Sequence, residues 1–148
     1  MVARYLAATL AKPFVILAGV SGTGKSKLAE LVAEYYSATA TPLGAAASPA
    51  RGDAFVFKSN RGAPDPSRFA LVPVRPDWID NQSIFGFLNP ITEQFESTQA
   101  LELILRAKGA LDAAPEKNAA LRYFLLLDEM NLARVEYYFS DWLSCSES

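Results

Sequence analysis

The sequence contains no histidine and a single cysteine. Without histidine the chain cannot form a Ser-His-Asp or Cys-His catalytic group, and it offers no imidazole to a metal ion. Cys145 alone permits neither an internal disulfide nor a zinc cluster, which is typical of a reducing compartment. We therefore expect a cytoplasmic protein that does not use the chemistry of the common hydrolase triads.

Two further absences narrow the class of protein. The 14 basic residues are matched by 16 acidic ones, so the basic excess that a freestanding nucleic-acid binder uses against phosphates is missing. The longest apolar runs, Phe14–Val20 and Tyr123–Leu127, are far shorter than the roughly 20 residues of a membrane-spanning helix. We expect no membrane association, and we expect any contact with DNA to be local.

The composition is otherwise that of a folded domain. A chain of 148 residues that is 51% hydrophobic is sufficient for about one domain with its own core. Residues 1–12 predict an N-terminal arm or short helix, and residues 13–148 form the domain itself. Within it, residues 37–68 predict a flexible loop rich in Ala, Thr, Pro and Gly, and residues 85–95 predict two extended arms around a turn.

Hydrophobic patterns predict the regular elements. Phe14–Ala18 is a continuous apolar run typical of a buried parallel strand, and Phe69–Val74 and Tyr123–Leu127 predict two more strands. Apolar residues at the spacing of an amphipathic helix occur after the glycine-rich residues 19–26 and in two later segments, and they predict three helices. These three predicted helices carry Leu28, Leu31, Val32, Tyr35 and Tyr36, then Leu101, Ile104, Leu105 and Lys108 before Gly109, and finally Val135, Tyr138, Phe139, Trp142 and Leu143.

The residues between the first strand and the first helix match the P-loop pattern G-x-x-x-x-G-K-[ST]. Glycines in such a loop let successive backbone N–H groups face phosphates, and the positive end of the helix adds to the attraction. Lys25 would reach the β- and γ-phosphates, and the Ser26 hydroxyl would bind Mg²⁺. The alternative is a merely flexible turn. The candidate nucleotide-binding residues are Gly19, Val20, Ser21, Gly22, Thr23, Gly24, Lys25, Ser26, Lys27 and Asn131.

A second pattern supplies the carboxylates that hydrolysis needs. Asp128 follows the apolar run Tyr123–Leu127, as in a Walker B strand, and would bind the same Mg²⁺ as Ser26. Glu129 is then the candidate catalytic base that polarises or orients the attacking water, with Lys25 as its catalytic partner on the phosphates. Alternatively, the two acidic residues end a strand and cap the next helix. Asn131 is either the N-cap of the final helix, which we favour, or a sensor of the γ-phosphate.

Four aromatic residues have two interpretations. Trp78, Phe85, Phe87 and Phe95 form either part of the core, which their spacing favours, or an exposed recognition surface.

Several of these segments together resemble one protein family. The P-loop, Val74–Trp78, Phe85–Pro90 and Asp128–Arg134 are similar to the AAA+ nucleoside-triphosphatase domain of methylcytosine-specific restriction motor proteins (McrB-like), within the dynein- and MoxR-related branch. The resemblance covers most of residues 14–143 and is weakest over residues 37–68. It implies an α/β fold, a P-loop NTPase core with a mainly parallel sheet and helices on both faces. Residues 85–95 would be the hairpin insert of this branch.

The resemblance also implies an activity and partners. A ring-forming motor, usually a hexamer of identical subunits, would hydrolyse ATP or GTP with Mg²⁺, and a separate nuclease subunit and DNA would engage through other domains. The sensor strand, arginine finger and helical lid of such a module have no counterpart here, so we expect an AAA+ core incomplete at its C-terminus that hydrolyses nucleotide poorly. The alternatives are a MoxR-like chaperone or assembly ATPase without a DNA partner, and a scaffold that binds nucleotide without hydrolysis.

Overall fold

The computed structural model describes residues 2–12, 14–20, 22–39, 67–116 and 120–146. In chain order the elements are α1 (Val2–Ala11), α2 (Lys25–Thr39), β1 (Phe69–Pro73), α3 (Gln82–Phe85), β2 (Phe87–Asn89), β3 (Gln94–Glu96), α4 (Gln99–Ala113), β4 (Phe124–Asp128), a 3₁₀ turn (Met130–Leu132), α5 (Val135–Tyr138) and α6 (Ser140–Ser146). Helix α1 occupies the segment predicted as an arm or short helix. Most of the predicted loop, residues 40–66, lies outside the described residues. Its predicted start at residue 37 is wrong, because α2 continues to Thr39.

Strands β1 and β4 form a parallel pair. Their register runs from Phe69 opposite Phe124 to Pro73 opposite Asp128, and the Val74 N–H donates to the Asp128 carbonyl at 2.9 Å. The two apolar runs were predicted as strands, and both predictions are confirmed. Because the strands are parallel and in register, both end at the same edge of the sheet.

The predicted strand at Phe14–Ala18 is wrong. These residues form no strand, and the parallel sheet of the described residues consists of β1 and β4. An apolar run satisfies the composition of a buried strand, but a strand also needs a hydrogen-bonded neighbour, and none pairs with it among the described residues. Ile16 accordingly remains 71% exposed, while the Phe14 ring packs on Phe139 at 5.4 Å between centroids. The larger parallel sheet with helices on both faces stays a prediction.

Strands β2 and β3 form an antiparallel hairpin where the sequence predicts two arms around a turn. The Asn89 side chain organises the turn, since its Oδ1 accepts the Ile91 N–H at 2.9 Å and its Nδ2 donates to Glu96 Oε1 at 2.6 Å. Gly86 precedes the hairpin at φ 95°, and a Cβ there would overlap the Glu96 carbonyl oxygen. Only glycine therefore permits this close approach of the two backbones.

Helix α2 packs one face against β4. Ala29, Val32, Ala33 and Tyr36 are buried, and the Tyr36 ring stacks on Phe124 at 5.8 Å between centroids. Of the predicted apolar face, Val32 and Tyr36 are buried, Leu28 and Leu31 are half-buried, and Tyr35 is exposed, so the helical spacing predicted this face only in part. The contact also orients the first turn of α2 relative to the end of β4.

Helix α4 is longer than the sequence predicts. Thr98 caps its start by accepting the Leu101 N–H at 3.2 Å, but the helix continues through Gly109 to Ala113. A single interior glycine costs only about 1 kcal/mol in a helix, and the Lys108–Asp112 ion pair spans that position. The predicted end of the helix at Gly109 is therefore wrong.

The core joins α3, α4 and α5 to the end of β1. Its buried cluster comprises Val74, Trp78, Ile84, Ala100, Tyr138 and Phe139. The Trp78 and Tyr138 rings meet edge to face at 5.2 Å between centroids. Of the four aromatic residues with two interpretations, Trp78 is buried and Phe85 packs on the core, whereas Phe87 and Phe95 are 41% and 57% exposed.

Candidate functional site

The glycine loop leads directly into α2. Gly22 and Gly24 have φ values of 81° and 79°, a left-handed conformation that side chains disfavour, and α2 begins at Lys25. A Cβ at either glycine would meet nothing within 4 Å, so the requirement for glycine lies in the backbone and not in crowding. Val20 is exposed on the loop. Ser21 lies outside the described residues.

Side chains from the same segment close the loop on itself. The Lys25 ammonium donates to the carbonyl oxygens of Gly19 at 3.0 Å and Val20 at 2.9 Å, and the Thr23 hydroxyl donates to the Val20 carbonyl at 2.8 Å. An ammonium has three donors, so Lys25 has a further donor for a phosphate oxygen. The loop thus holds a positive charge beside the N-terminus of α2, where backbone N–H groups lack intrahelical acceptors.

The two ends of the predicted site meet at Ser26 and Asp128. Ser26 lies in the first turn of α2 and Asp128 is the last residue of β4, and the Ser26 Oγ donates to Asp128 Oδ1 at 2.9 Å. The sequence predicted that both side chains approach one ion, and the structure brings them into direct contact. Both are only partly buried.

The donor set suits magnesium. A hydroxyl and a carboxylate are hard oxygen ligands, and Mg²⁺ commonly takes one or two protein ligands together with phosphate oxygens and waters. Within the described residues no group of three or more His, Cys, Asp or Glu side chains could hold a metal. The Ser26–Asp128 pair supplies two such oxygen ligands, which fits a metal that also binds a phosphorylated ligand.

Glu129, the residue directly after Asp128, has an unusual backbone conformation. Its φ and ψ are 55° and 42°, one of two non-glycine residues with positive φ among those described, and its side chain is exposed. Its N–H donates to Asp128 Oδ1 at 3.2 Å. Strained backbone of this kind is often found at functional sites. The chain turns sharply here and places Glu129 beside Asp128 at the edge of the sheet.

The predicted final helix is divided into α5 and α6, and Asn131 does not cap α5, so the N-cap interpretation is wrong. Asn131 lies inside the 3₁₀ turn, whereas α5 begins at Val135 with Arg134 in the N-cap position and no side-chain cap. Helix α5 starts later than predicted because the 3₁₀ turn lies between β4 and α5. The Leu132 N–H closes this turn by donating to the Glu129 carbonyl at 2.9 Å. Asn131 is exposed, two residues after Glu129.

The Lys27 side chain is engaged on the helix surface. Its ammonium donates to Glu30 Oε2 at 2.9 Å, and this hydrogen bond with the charge of Glu30 raises the pKa of Lys27. What Lys27 offers to a phosphate is therefore its backbone N–H in the first turn of α2.

One contact near the site was missed by sequence reasoning. Tyr138 was assigned only to the apolar face of a helix, but its hydroxyl donates to the Met130 carbonyl at 3.0 Å. Burial raises the pKa of this phenol. The helical spacing carries no signal for such a hydrogen bond, because it depends on how the 3₁₀ turn folds back over α5.

No family model, curated protein or solved structure was found to match this chain. In the part of the chain that the structure describes, no helix has the length and apolar character needed to cross a membrane.

Proposed function

We propose that this protein binds ATP or GTP together with Mg²⁺ and hydrolyses the terminal phosphate. The observation that carries the proposal is the 2.9 Å hydrogen bond between Ser26 Oγ and Asp128 Oδ1. A P-loop hydroxyl and a strand-end carboxylate contact each other when both are arranged around one small cation. A merely flexible glycine turn would give no reason for this contact.

Each residue then has one role. The loop N–H groups and Lys25 bind the β- and γ-phosphates, and Ser26 and Asp128 hold the metal. When bound, Mg²⁺ neutralises the charge of the phosphate oxygens. Glu129 accepts a proton from water as the water oxygen bonds to the γ-phosphorus and the bond to the β-phosphate oxygen breaks.

Nucleotide binding tests the first half of the proposal. Titration of the full chain with fluorescent ATP and GTP analogues in Mg²⁺ should show saturable binding of at least one. Lys25→Ala should weaken it by about tenfold or more, because a hydrogen bond to a charged group is lost. Lys108→Ala is the matched control, since it also removes one exposed lysine charge but lies on α4. Equal affinities for the two variants would refute the assignment of Lys25.

Phosphate release tests the second half. Glu129→Gln should keep nucleotide affinity and lose phosphate release, measured under single-turnover conditions with protein in excess. Equal release by wild type and Glu129→Gln would remove Glu129 from the mechanism.

From the sequence resemblance noted for Val74–Trp78 and Asp128–Arg134 we further propose a McrB-like role. The protein would be the nucleotide-hydrolysing part of a cytoplasmic, ring-forming restriction motor that works with a nuclease subunit on DNA. Light scattering with Mg²⁺ and a non-hydrolysable triphosphate should then show a multimer that Lys25→Ala does not form. A monomer at every nucleotide concentration would contradict the ring.

A further inference from the structure

Tyr138 connects the core to the turn that follows Glu129. The side chain is completely buried, and its ring packs edge to face on Trp78. Its hydroxyl reaches out of this apolar cluster and donates to the Met130 carbonyl at 3.0 Å. Met130 is the residue directly after Glu129, so a rigid part of the core is bonded to the backbone next to the candidate base.

The backbone of Glu129 needs such support. A left-handed conformation is unfavourable for a residue with a Cβ and persists only where its surroundings hold it. Two hydrogen bonds hold Glu129 itself, from its N–H to Asp128 Oδ1 and from the Leu132 N–H to its carbonyl. Both lie within the same turn. The hydrogen bond from Tyr138 to the Met130 carbonyl, in contrast, links the turn to a separate helix, α5.

We propose that Tyr138 is a positioning residue that, through the Met130 carbonyl, keeps Glu129 in its left-handed conformation beside Asp128. This inference rests on the proposed role of Glu129 in hydrolysis. The Tyr138 hydroxyl contacts the Met130 carbonyl, so its proposed role is indirect. It acts by limiting the positions from which the Glu129 carboxylate approaches the attacking water, and small displacements of a catalytic group reduce turnover strongly.

The chain provides a matched control one residue away. Tyr137 lies on the same short helix, but it is 48% exposed and its hydroxyl accepts a hydrogen bond from Arg134 Nη1 at 3.1 Å. Tyr137→Phe and Tyr138→Phe remove the same atom and keep both rings. They differ in whether the lost hydroxyl holds the turn after Glu129.

The test compares both variants with wild type in the full chain. Single-turnover phosphate release gives the rate, titration with Mg·ATP and Mg·GTP gives the affinity, and hydrogen exchange of the Leu132 amide reports on the turn. For Tyr138→Phe we expect phosphate release to fall about tenfold, affinity to stay within about twofold, and Leu132 exchange to rise about fivefold. Exchange of the β4 amides should not change. Tyr137→Phe should match wild type in every measurement.

Three results would overturn the inference. Unchanged Leu132 exchange in Tyr138→Phe would show that the hydroxyl does not hold the turn, whatever the activity. Faster exchange with unchanged phosphate release would show that the turn does not position Glu129. Equal losses of affinity and rate, with faster exchange throughout β4, would show a general loss of stability. In contrast, a wild type that binds nucleotide and releases no phosphate would refute the proposed hydrolysis itself, and with it the catalytic meaning of the turn.

Discussion

Ser26 and Asp128 are 102 positions apart in the chain, yet the hydroxyl of one donates to the carboxylate of the other at 2.9 Å. The contact joins the first turn of α2 to the last residue of β4. Through this contact the two sequence patterns, separated by most of the domain, meet in the structure.

This contact should contribute to stability without any nucleotide. We expect a double-mutant cycle of Ser26→Ala and Asp128→Ala to give a coupling free energy of about 1–2 kcal/mol, because the acceptor is charged and partly buried. Urea unfolding of the four proteins measures it. Additive effects of the two substitutions would mean that the hydrogen bond does not persist in solution.

Replacing glycine by alanine should change the free energy of unfolding in opposite directions in the glycine loop and in helix α4. Gly24→Ala should lower the free energy of unfolding by about 1–2 kcal/mol, because a Cβ disfavours its left-handed backbone. Gly109→Ala should raise it by about 0.5–1 kcal/mol, because Gly109 is helical and its Cβ would meet nothing within 4 Å. Denaturant unfolding of both variants checks the pair. The same sign for both would contradict the assigned backbone conformations.

Two leucines on α4 test the location of the core. Leu103 is 2% exposed and Leu105 is 59% exposed. Leu103→Ala should cost about 2–5 kcal/mol of unfolding free energy by leaving a cavity, whereas Leu105→Ala should cost less than about 0.5 kcal/mol. Thermal or urea unfolding measures both variants. If the two substitutions lowered the free energy of unfolding by similar amounts, the buried face of α4 would lie elsewhere.

Stability should fall at alkaline pH because of Tyr138. Burial raises the pKa of its phenol in the folded state, so the folded protein holds this proton more tightly than the unfolded chain does. The resulting stabilisation is complete below the unfolded pKa of about 10 and is lost as the pH rises through the folded value. Tyr138→Phe should therefore lose less unfolding free energy than wild type between about pH 9 and about pH 11.

The control for this pH effect is Tyr137→Phe, which retains Tyr138 and should follow the wild-type curve. Tyr5, whose pKa is also raised by burial, is present in all three proteins and does not affect the comparison. Parallel pH curves for wild type and Tyr138→Phe would contradict the prediction.

The sequence predicted best those features that local patterns determine. The apolar run before Asp128 predicted β4, because continuous hydrophobicity favours a buried parallel strand. The spacing of the glycines and Ser26 predicted a loop followed at once by a helix. Their approach to Asp128 was also predicted, but on the expectation that two parallel strands end beside each other. Residues 14–18 form no strand, and Ser26 reaches Asp128 from α2, which packs on β4 through Tyr36 and Phe124.

Features that depend on neighbours were not predictable. Phe14–Ala18 has the composition of a strand but no pairing partner among the described residues, and a composition cannot supply one. The left-handed Glu129 and the following 3₁₀ turn move the start of α5 to Val135, so Asn131 has no helix to cap. The Tyr138 hydroxyl donates to the Met130 carbonyl in this same turn, and the apolar spacing of α5 does not predict that hydrogen bond.

The most direct test of the account is the effect of Mg²⁺ on nucleotide affinity in wild type and Asp128→Asn. Calorimetric titration of the full chain with ATP and GTP, each with and without Mg²⁺, measures it. We predict that Mg²⁺ tightens wild-type binding of at least one nucleotide by about tenfold or more, and that Asp128→Asn keeps the metal-free affinity but loses this gain. An undiminished gain in Asp128→Asn, or no binding of either nucleotide by wild type in Mg²⁺, would contradict a shared metal site at Ser26 and Asp128.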